Sequence, residues 1–117
     1  IDDQEKEKWQ YQFKDIEKKS ITVILFGSIL MGEKEANDID ILIIANNKNI
    51  VALDKIIITL QKTTEKKIHA TIITTAEMKE LIKKNNPMAD AIRKGIVLYH
   101  QDAFVLLLHD LHNLSQR

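Results

Sequence analysis

The chain has 117 residues, of which 44% are hydrophobic and 29% charged, the size and composition of one domain with a single core. Seventeen basic side chains balance seventeen acidic ones, so no overall field favours nucleic acid or an anionic membrane as a partner. There is no cysteine, which excludes disulfides and thiolate metal sites and fits a reducing cytoplasm. The longest apolar runs, residues 21–26 and 104–108, are far shorter than the roughly 20 residues of a membrane-spanning helix.

The first half of the chain predicts helix, strand, strand and helix. Residues 1–19 are highly charged except for a narrow apolar stripe, which predicts one amphipathic helix. Residues 21–26 and 39–45 are short, apolar and rich in β-branched side chains, which predicts two adjacent buried strands. A helix over residues 49–62, capped by Asn49, should pack on them.

The second half of the chain predicts two further strands and three helices. A strand over residues 68–73 leads into a helix that the capping box between Thr74 and Glu77 opens and that ends near residue 84. Pro87 should open the next helix, since proline has no amide to donate and suits a first helical turn.

The end of the chain completes the predicted fold. Gly95 should end the helix that Pro87 opens, a short strand follows over residues 96–99, and Asp102 should cap a last helix to about residue 114. This order predicts an α/β fold of the α+β kind, a small mixed sheet flanked by helices in a single domain over residues 1–117. The first residue is Ile1 rather than Met, so one interpretation is that the chain is a fragment of a longer protein.

Two polar pairs are the candidates for chemistry. Gly27 and Ser28 follow the first strand; the glycine lets the backbone approach a ligand closely, and the serine hydroxyl and following amides can face phosphate oxygens. Asp38 and Asp40 lie two apart at the start of the second strand, so both carboxylates leave one face. Hard oxygen ligands suit Mg²⁺ or Mn²⁺. Either pair alone is also typical of an ordinary turn or strand entrance, so their order carries the interpretation.

That order, over residues 23–44, is a strand, Gly27-Ser28, a second glycine, a short charged stretch, then Asp38 and Asp40 leading into an apolar strand. The segment resembles the nucleotidyltransferase superfamily with the polymerase-beta-like fold, in particular its minimal prokaryotic and archaeal members. The resemblance implies that Gly27 and Ser28 bind a nucleoside triphosphate and that Asp38 and Asp40 bind Mg²⁺ or Mn²⁺. It also implies attack by an acceptor hydroxyl on the α-phosphorus, with pyrophosphate leaving.

The chain departs from the family pattern at the third carboxylate, which a later strand usually supplies and which His69 replaces here. Alternation places His69 and Thr71 on one face of the strand. If that is the site face, the imidazole could bind Mn²⁺, contact a phosphate when protonated or act as a general base. The other interpretation is a surface histidine at a sheet edge. Two smaller departures are Met31, where a basic residue is common, and Asn37, where a serine is common.

Two functional hypotheses therefore stand, beside a structural one in which the pattern of glycine, serine and aspartates is accidental and the chain has no metal-dependent affinity for nucleotides. The first is a metal-dependent nucleotidyltransferase that moves a nucleoside monophosphate from a triphosphate to an unidentified acceptor hydroxyl, with Asp38, Asp40 and His69 at the catalytic centre. The alternative is a regulatory module of the same fold that binds nucleotide and metal but is catalytically impaired because His69 replaces the carboxylate. Either is compatible with a larger chain or with a toxin-antitoxin-like pair.

Three other features have less specific interpretations. The C-terminal helix, residues 100–117, is apolar over more than one face, which indicates either a surface for a homodimer or a small helical protein, or a helix that crosses the core. His109 and His112 lie three apart on it without an evident third metal ligand, so a solvated face is favoured. Lysine pairs such as Lys66-Lys67 are interpreted as solubilising charge, although one pair near the site would steer a triphosphate.

Overall fold

A four-stranded mixed sheet, in the order β3-β2-β1-β4, organises the chain in the computed structural model, which describes residues 1–84 and 86–115. The strands are β1 (Thr22–Phe26), β2 (Asp38–Ile44), β3 (Lys67–Ile73) and β4 (Ile96–Tyr99). β1 pairs antiparallel with β2 and with β4, whereas β2 and β3 are parallel. All four predicted strands are confirmed to within one residue at each end, because their apolar runs are bounded by polar or glycine residues.

Five helices flank the sheet. They are α1 (Asp3–Gln12), α2 (Ile50–Gln61), α3 (Thr75–Lys83), α4 (Pro87–Lys94) and α5 (Gln101–Ser115). Short 3₁₀ segments run over Lys14–Lys19, Gly27–Met31 and Asn47–Asn49. Across the described residues, none of the helices combines the length and the apolar character that crossing a membrane would require. Residues 116–117 of the predicted C-terminal helix and the side chain of His112 lie outside what the structure describes.

Three predictions about helix ends are corrected. The single helix predicted over residues 1–19 divides into α1 and the 3₁₀ segment, and because 3₁₀ residues three apart stack, Phe13 and Ile16 still face the core. Asn49 precedes α2 but its side chain makes no capping hydrogen bond; its side-chain amide donates to the Lys19 carbonyl at 3.2 Å. Asp102 lies inside the first turn of α5 rather than at its cap. Its negative charge there still interacts favourably with the positive end of the helix dipole.

Alternation along the strands divides the core into two layers. Ile39, Ile41 and Ile43 of β2 point to one face of the sheet and pack beneath α1 and α2. Leu42 and Ile44 point to the opposite face, which α3, α4 and α5 cover. Asp38 and Asp40 share that second face by the two-residue period of the strand. The Asp38 side chain is 46% exposed, so the second face is covered at one end and open at the other.

The apolar side chains of the C-terminal helix are divided between the chain's own core and the solvent. Phe104 is buried in the second layer, and Leu107, Leu108 and Leu111 pack against it. Val105 and Leu106 are 53% and 64% exposed. The helix therefore crosses the chain's own core on one side and leaves two large apolar side chains in solvent on another.

Candidate active site

The turn after β1 depends on a glycine. Gly27 has φ of +76°, a left-handed conformation that other residues adopt only with strain. A Cβ atom added to it would lie 2.3 Å from Oδ2 of Asp40, far inside van der Waals contact. Gly27 therefore leaves the space that the Asp40 carboxylate occupies. Ser28 follows on the exposed side of the same turn, where its hydroxyl is open to a ligand.

Asp38 and Asp40 lie at the start of β2, on the open end of the second face. Asp40 is opposite Phe26 on β1 and beside His69 on β3, so it stands in the middle of three neighbouring strands. Both aspartates are only partly buried. Two carboxylates that leave one face of one strand form a hard-oxygen donor set, which fits a divalent cation such as Mg²⁺ or Mn²⁺.

His69 points toward the aspartates. Its Nε2 lies 3.2 Å from Oδ2 of Asp38, within hydrogen-bond distance. The alternation predicted for β3 places the ring on this face, since Ile68, Ala70 and Ile72 pack in the opposite layer. The contact joins His69 to a proposed site residue, while its 46% exposed side chain on the edge strand β3 also fits a surface histidine. The structure therefore brings together Gly27, Asp38, Asp40 and His69, which the sequence proposes as site residues.

Lys67 is a site-face residue that the sequence interpretation treats as solubilising charge. It is in register with Asp38 on β3 and two residues before His69, so its exposed side chain leaves the same face. Its neighbour Lys66 has a different role, because its ammonium donates to the Ala36 carbonyl at 2.5 Å. The alternation that identifies His69 is the signal that would have separated these two lysines.

Among the side chains that the structure describes, which do not include His112, no three or more His, Asp or Glu residues are arranged as they stand to hold a metal ion, so none of the described carboxylates joins Asp38 and Asp40 as a third. At this site the neighbour of neither aspartate is a further carboxylate, because Asp40 faces Gly27 and Asp38 faces His69. A cation would therefore be held by the two aspartates, with the imidazole beside one of them.

The comparisons with known proteins identify the family and the fold. A family model described as "Polymerase beta, Nucleotidyltransferase" matches residues 10–104. The chain thus belongs to the polymerase beta nucleotidyltransferase family, and its mixed sheet flanked by helices is the polymerase-beta-like fold that the sequence predicts.

A solved structure shares the fold at low sequence identity. It is a chain from the crystal structure of a double aspartate-to-glutamate mutant of the toxin-antitoxin MntA-HpeT, with a TM-score of 0.54 and 17% identity. The match covers 95% of this chain and 86% of that chain. No curated protein matches the sequence.

Proposed function

We propose that this chain is a metal-dependent nucleotidyltransferase that transfers a nucleoside monophosphate from a nucleoside triphosphate to an acceptor hydroxyl and releases pyrophosphate. The observation that supports this function best is the meeting of three strands at one open end of the sheet. There β1 leads into Gly27, β2 carries Asp38 and Asp40, and β3 brings His69 to within 3.2 Å of Asp38.

Each side chain has a role in the proposed reaction. Gly27 and Ser28 receive the triphosphate, the glycine because its positive φ turns the backbone at the end of β1 and the serine because its hydroxyl donates to a phosphate oxygen. Asp38 and Asp40 hold a divalent cation, which when bound supplies positive charge against the phosphates and the departing pyrophosphate. His69 acts as a positioning residue, since its contact with Asp38 fixes the direction of that carboxylate.

The proposed reaction needs no reactant besides the triphosphate and the acceptor. The acceptor oxygen forms a bond to the α-phosphorus, and the bond from that phosphorus to the bridging oxygen breaks. The electron pair leaves with pyrophosphate, and the hydroxyl proton passes to the water that reaches this open end of the sheet. Because the chain has no net charge, the bound cation and the turn at Gly27 must offset most of the negative charge of the triphosphate.

Asparagine variants test this function directly. Asp38→Asn and Asp40→Asn each remove a charged oxygen ligand while keeping the shape of the side chain, so we expect pyrophosphate release to fall at least about 100-fold. The measurement is release from labelled triphosphates with Mg²⁺ or Mn²⁺ in the presence of a cell lysate, with chelator as a blank. Asp54→Asn is the matched control, because Asp54 is exposed on α2, beneath the opposite face of the sheet. Equal release from all four proteins would contradict the proposal.

A catalytically impaired nucleotide-binding module is the second candidate, and one observation favours it. His69 stands beside Asp40 in the register of β3, where the family resemblance leads us to expect a third carboxylate. Metal-dependent triphosphate binding without any turnover would identify the module and exclude the enzyme. His69→Asp then supplies the missing carboxylate, and turnover that appears only in this variant would assign the impairment to His69.

We also propose that α5 contacts a protein partner. The supporting observations are the exposure of Val105 and Leu106 and the similarity in fold to a chain of the toxin-antitoxin MntA-HpeT. The partner is a second copy of this chain or a small helical protein. Sedimentation of the purified chain separates the two, since only self-association gives a dimer that Leu106→Glu dissociates.

A further inference from the structure

An apolar cleft lies beside the candidate active site, on the same face of the sheet. It has a volume of about 530 Å³ and is enclosed by the end of β3, the helix α3 and the start of α4. This volume is within the roughly 300–1,000 Å³ typical of small-molecule sites. Thr71 forms the near wall of the cleft. It follows His69 by two residues on the same face, so the cleft begins about 7 Å along the strand from the histidine.

The position of the cleft indicates which of the two reactants it binds. Across the sheet, the proposed triphosphate site at Gly27 and Ser28 lies at the end of β1, the aspartates lie on the neighbouring strand β2, and the cleft lies on the far side of them at β3. An in-line displacement requires the attacking oxygen and the leaving pyrophosphate on opposite sides of the phosphorus. If pyrophosphate departs on the β1 side, the attacking hydroxyl must arrive from the β3 side, where the cleft opens.

The lining of the cleft indicates the chemistry of that reactant. Its walls are mostly apolar, with Ile73, Leu81 and Met88 among them. The charged side chains among its described lining residues are the carboxylates of Glu77 and Glu80, and Glu77 is held in place because it accepts from Thr74 in the capping box. Two carboxylates at the rim repel a nucleic-acid end or another phosphate-bearing acceptor.

We infer that this cleft is the acceptor site and that it binds the apolar, uncharged body of a small-molecule alcohol, whose hydroxyl reaches the phosphorus beside Asp38 and His69. The inference rests on the proposed nucleotidyltransferase function and specifies its acceptor. The alcohol oxygen becomes bonded to the α-phosphorus, pyrophosphate leaves with the electron pair of the broken bond, and the proton passes to water.

A cleft-filling variant and a ring-bearing alcohol test the inference. Ala76 is exposed and lines the cleft on α3, so Ala76→Trp fills it without disturbing the layer beneath. Lys83→Trp places the same ring at an exposed position on the same helix, outside the described lining, and is the matched control. The probe is 2-(naphthalen-2-yl)ethanol, added to the chain with a labelled triphosphate and Mn²⁺.

The expected results separate the acceptor site from the function on which it rests. Calorimetry first measures metal-dependent triphosphate binding, which all three proteins should show equally; if the wild type shows none, both proposals fail. With that binding in place, the alcohol should raise pyrophosphate release at least about tenfold in the wild type and in Lys83→Trp, and the 2-(naphthalen-2-yl)ethyl ester of the nucleotide should form. Ala76→Trp should lose this gain while keeping triphosphate binding.

Three results would overturn the acceptor site while leaving the nucleotidyltransferase function intact. The first is triphosphate binding with no response to the alcohol in the wild type. The second is an equal response in Ala76→Trp, which would place the alcohol elsewhere. The third is transfer to an oligonucleotide 3′ end or to a hydroxyl of a peptide that proceeds equally well in Ala76→Trp, since the acceptor would then not use the cleft.

Discussion

Gly27 and Asp40 depend on each other at the candidate site. The glycine has a positive φ, and the Asp40 carboxylate occupies the space where any other residue would place its Cβ. A side chain at position 27 would move the flexible end of Asp40 rather than the backbone. The absence of a side chain at position 27 therefore leaves the Asp40 carboxylate its position, in addition to allowing the turn.

Gly27→Ala should separate binding from folding. The positive φ alone should reduce the free energy of unfolding by about 1–3 kcal/mol, and displacement of the Asp40 carboxylate should also abolish metal-dependent triphosphate binding. Gly32→Ala is the control, since Gly32 has φ of +115° but no atom within 4 Å of an added Cβ. Urea denaturation should show losses of similar size, whereas calorimetry should show binding only in Gly32→Ala. Binding retained by Gly27→Ala would refute this role.

The histidine shows how far a sequence can predict a site. Alternation along β3 is sufficient to place His69 on the polar face, because strands have a two-residue period and the apolar residues between require the other face. The contact with Asp38 is not predictable in the same way. It depends on the parallel register of β2 and β3, and register is set by the packing of both layers rather than by either strand alone.

At the scale of elements, β3 is an edge strand of the sheet, and the side chain of Gln61 protects its first residues. The Ile68 amide donates to Oε1 of Gln61 at 2.7 Å, and the Gln61 amide donates to the Lys66 carbonyl at 3.1 Å. The glutamine thus satisfies two backbone groups that a neighbouring strand would otherwise satisfy. Such protection blocks pairing of an edge strand with a second chain.

Gln61→Leu should weaken this edge. The substitution keeps the approximate size of the side chain but leaves the partly buried Ile68 amide without its acceptor. We therefore expect the free energy of unfolding to fall by about 1–3 kcal/mol. Light scattering at high concentration should also rise, because the edge becomes free to pair. Gln4→Leu, at an exposed position of α1, should change neither measurement appreciably, and identical behaviour of the two variants would exclude the edge role of Gln61.

Predictability at the scale of elements follows how local the determining interactions are. The capping box of Thr74 and Glu77 and the proline start of α4 are confirmed, because both depend on residues within one helical turn. The continuous helix over residues 1–19 is wrong because the chain must turn toward β1 after Phe13. The Asn49 cap is wrong because Asn49 ends a 3₁₀ segment with φ of −102° and ψ of −5°, rather than with the extended backbone of a capping residue.

At the scale of the whole molecule, Tyr99 joins the beginning of the chain to its end. Its hydroxyl donates to the Gln10 carbonyl, and the Gln10 amide donates to the Leu98 carbonyl at 2.8 Å. Burial raises the pKa of the Tyr99 hydroxyl above its ordinary value, and the carboxylates of Glu17 and Asp15 raise it further. The buried tyrosine therefore connects α1 to β4 only in its neutral form.

Stability should consequently fall in alkaline solution. Below the pKa of an unfolded tyrosine, about 10, both states keep the proton; above it only the unfolded chain releases the proton, so the folded state loses stability as pH rises. Urea denaturation between about pH 9 and pH 11 should show a loss on the order of 1 kcal/mol from this group. Tyr99→Phe should show a smaller alkaline loss than the wild type. Tyr11→Phe, at a residue 72% exposed, should behave like the wild type, and equal slopes in all three would contradict the assignment.

The half-covered face of the sheet has a consequence for how such a protein can diversify. The turn and aspartates proposed to serve the nucleotide lie within residues 22–44, whereas the cleft is bordered by the end of β3, α3 and the start of α4. The two proposed sites thus lie in separate, consecutive parts of the chain, which are joined by the pairing of β2 with β3 and by the second core layer. Substitutions in α3 and at the start of α4 would then change the acceptor that the chain takes while leaving the proposed nucleotide site unaltered, so proteins with this arrangement could diverge in what they modify and keep the same transfer chemistry.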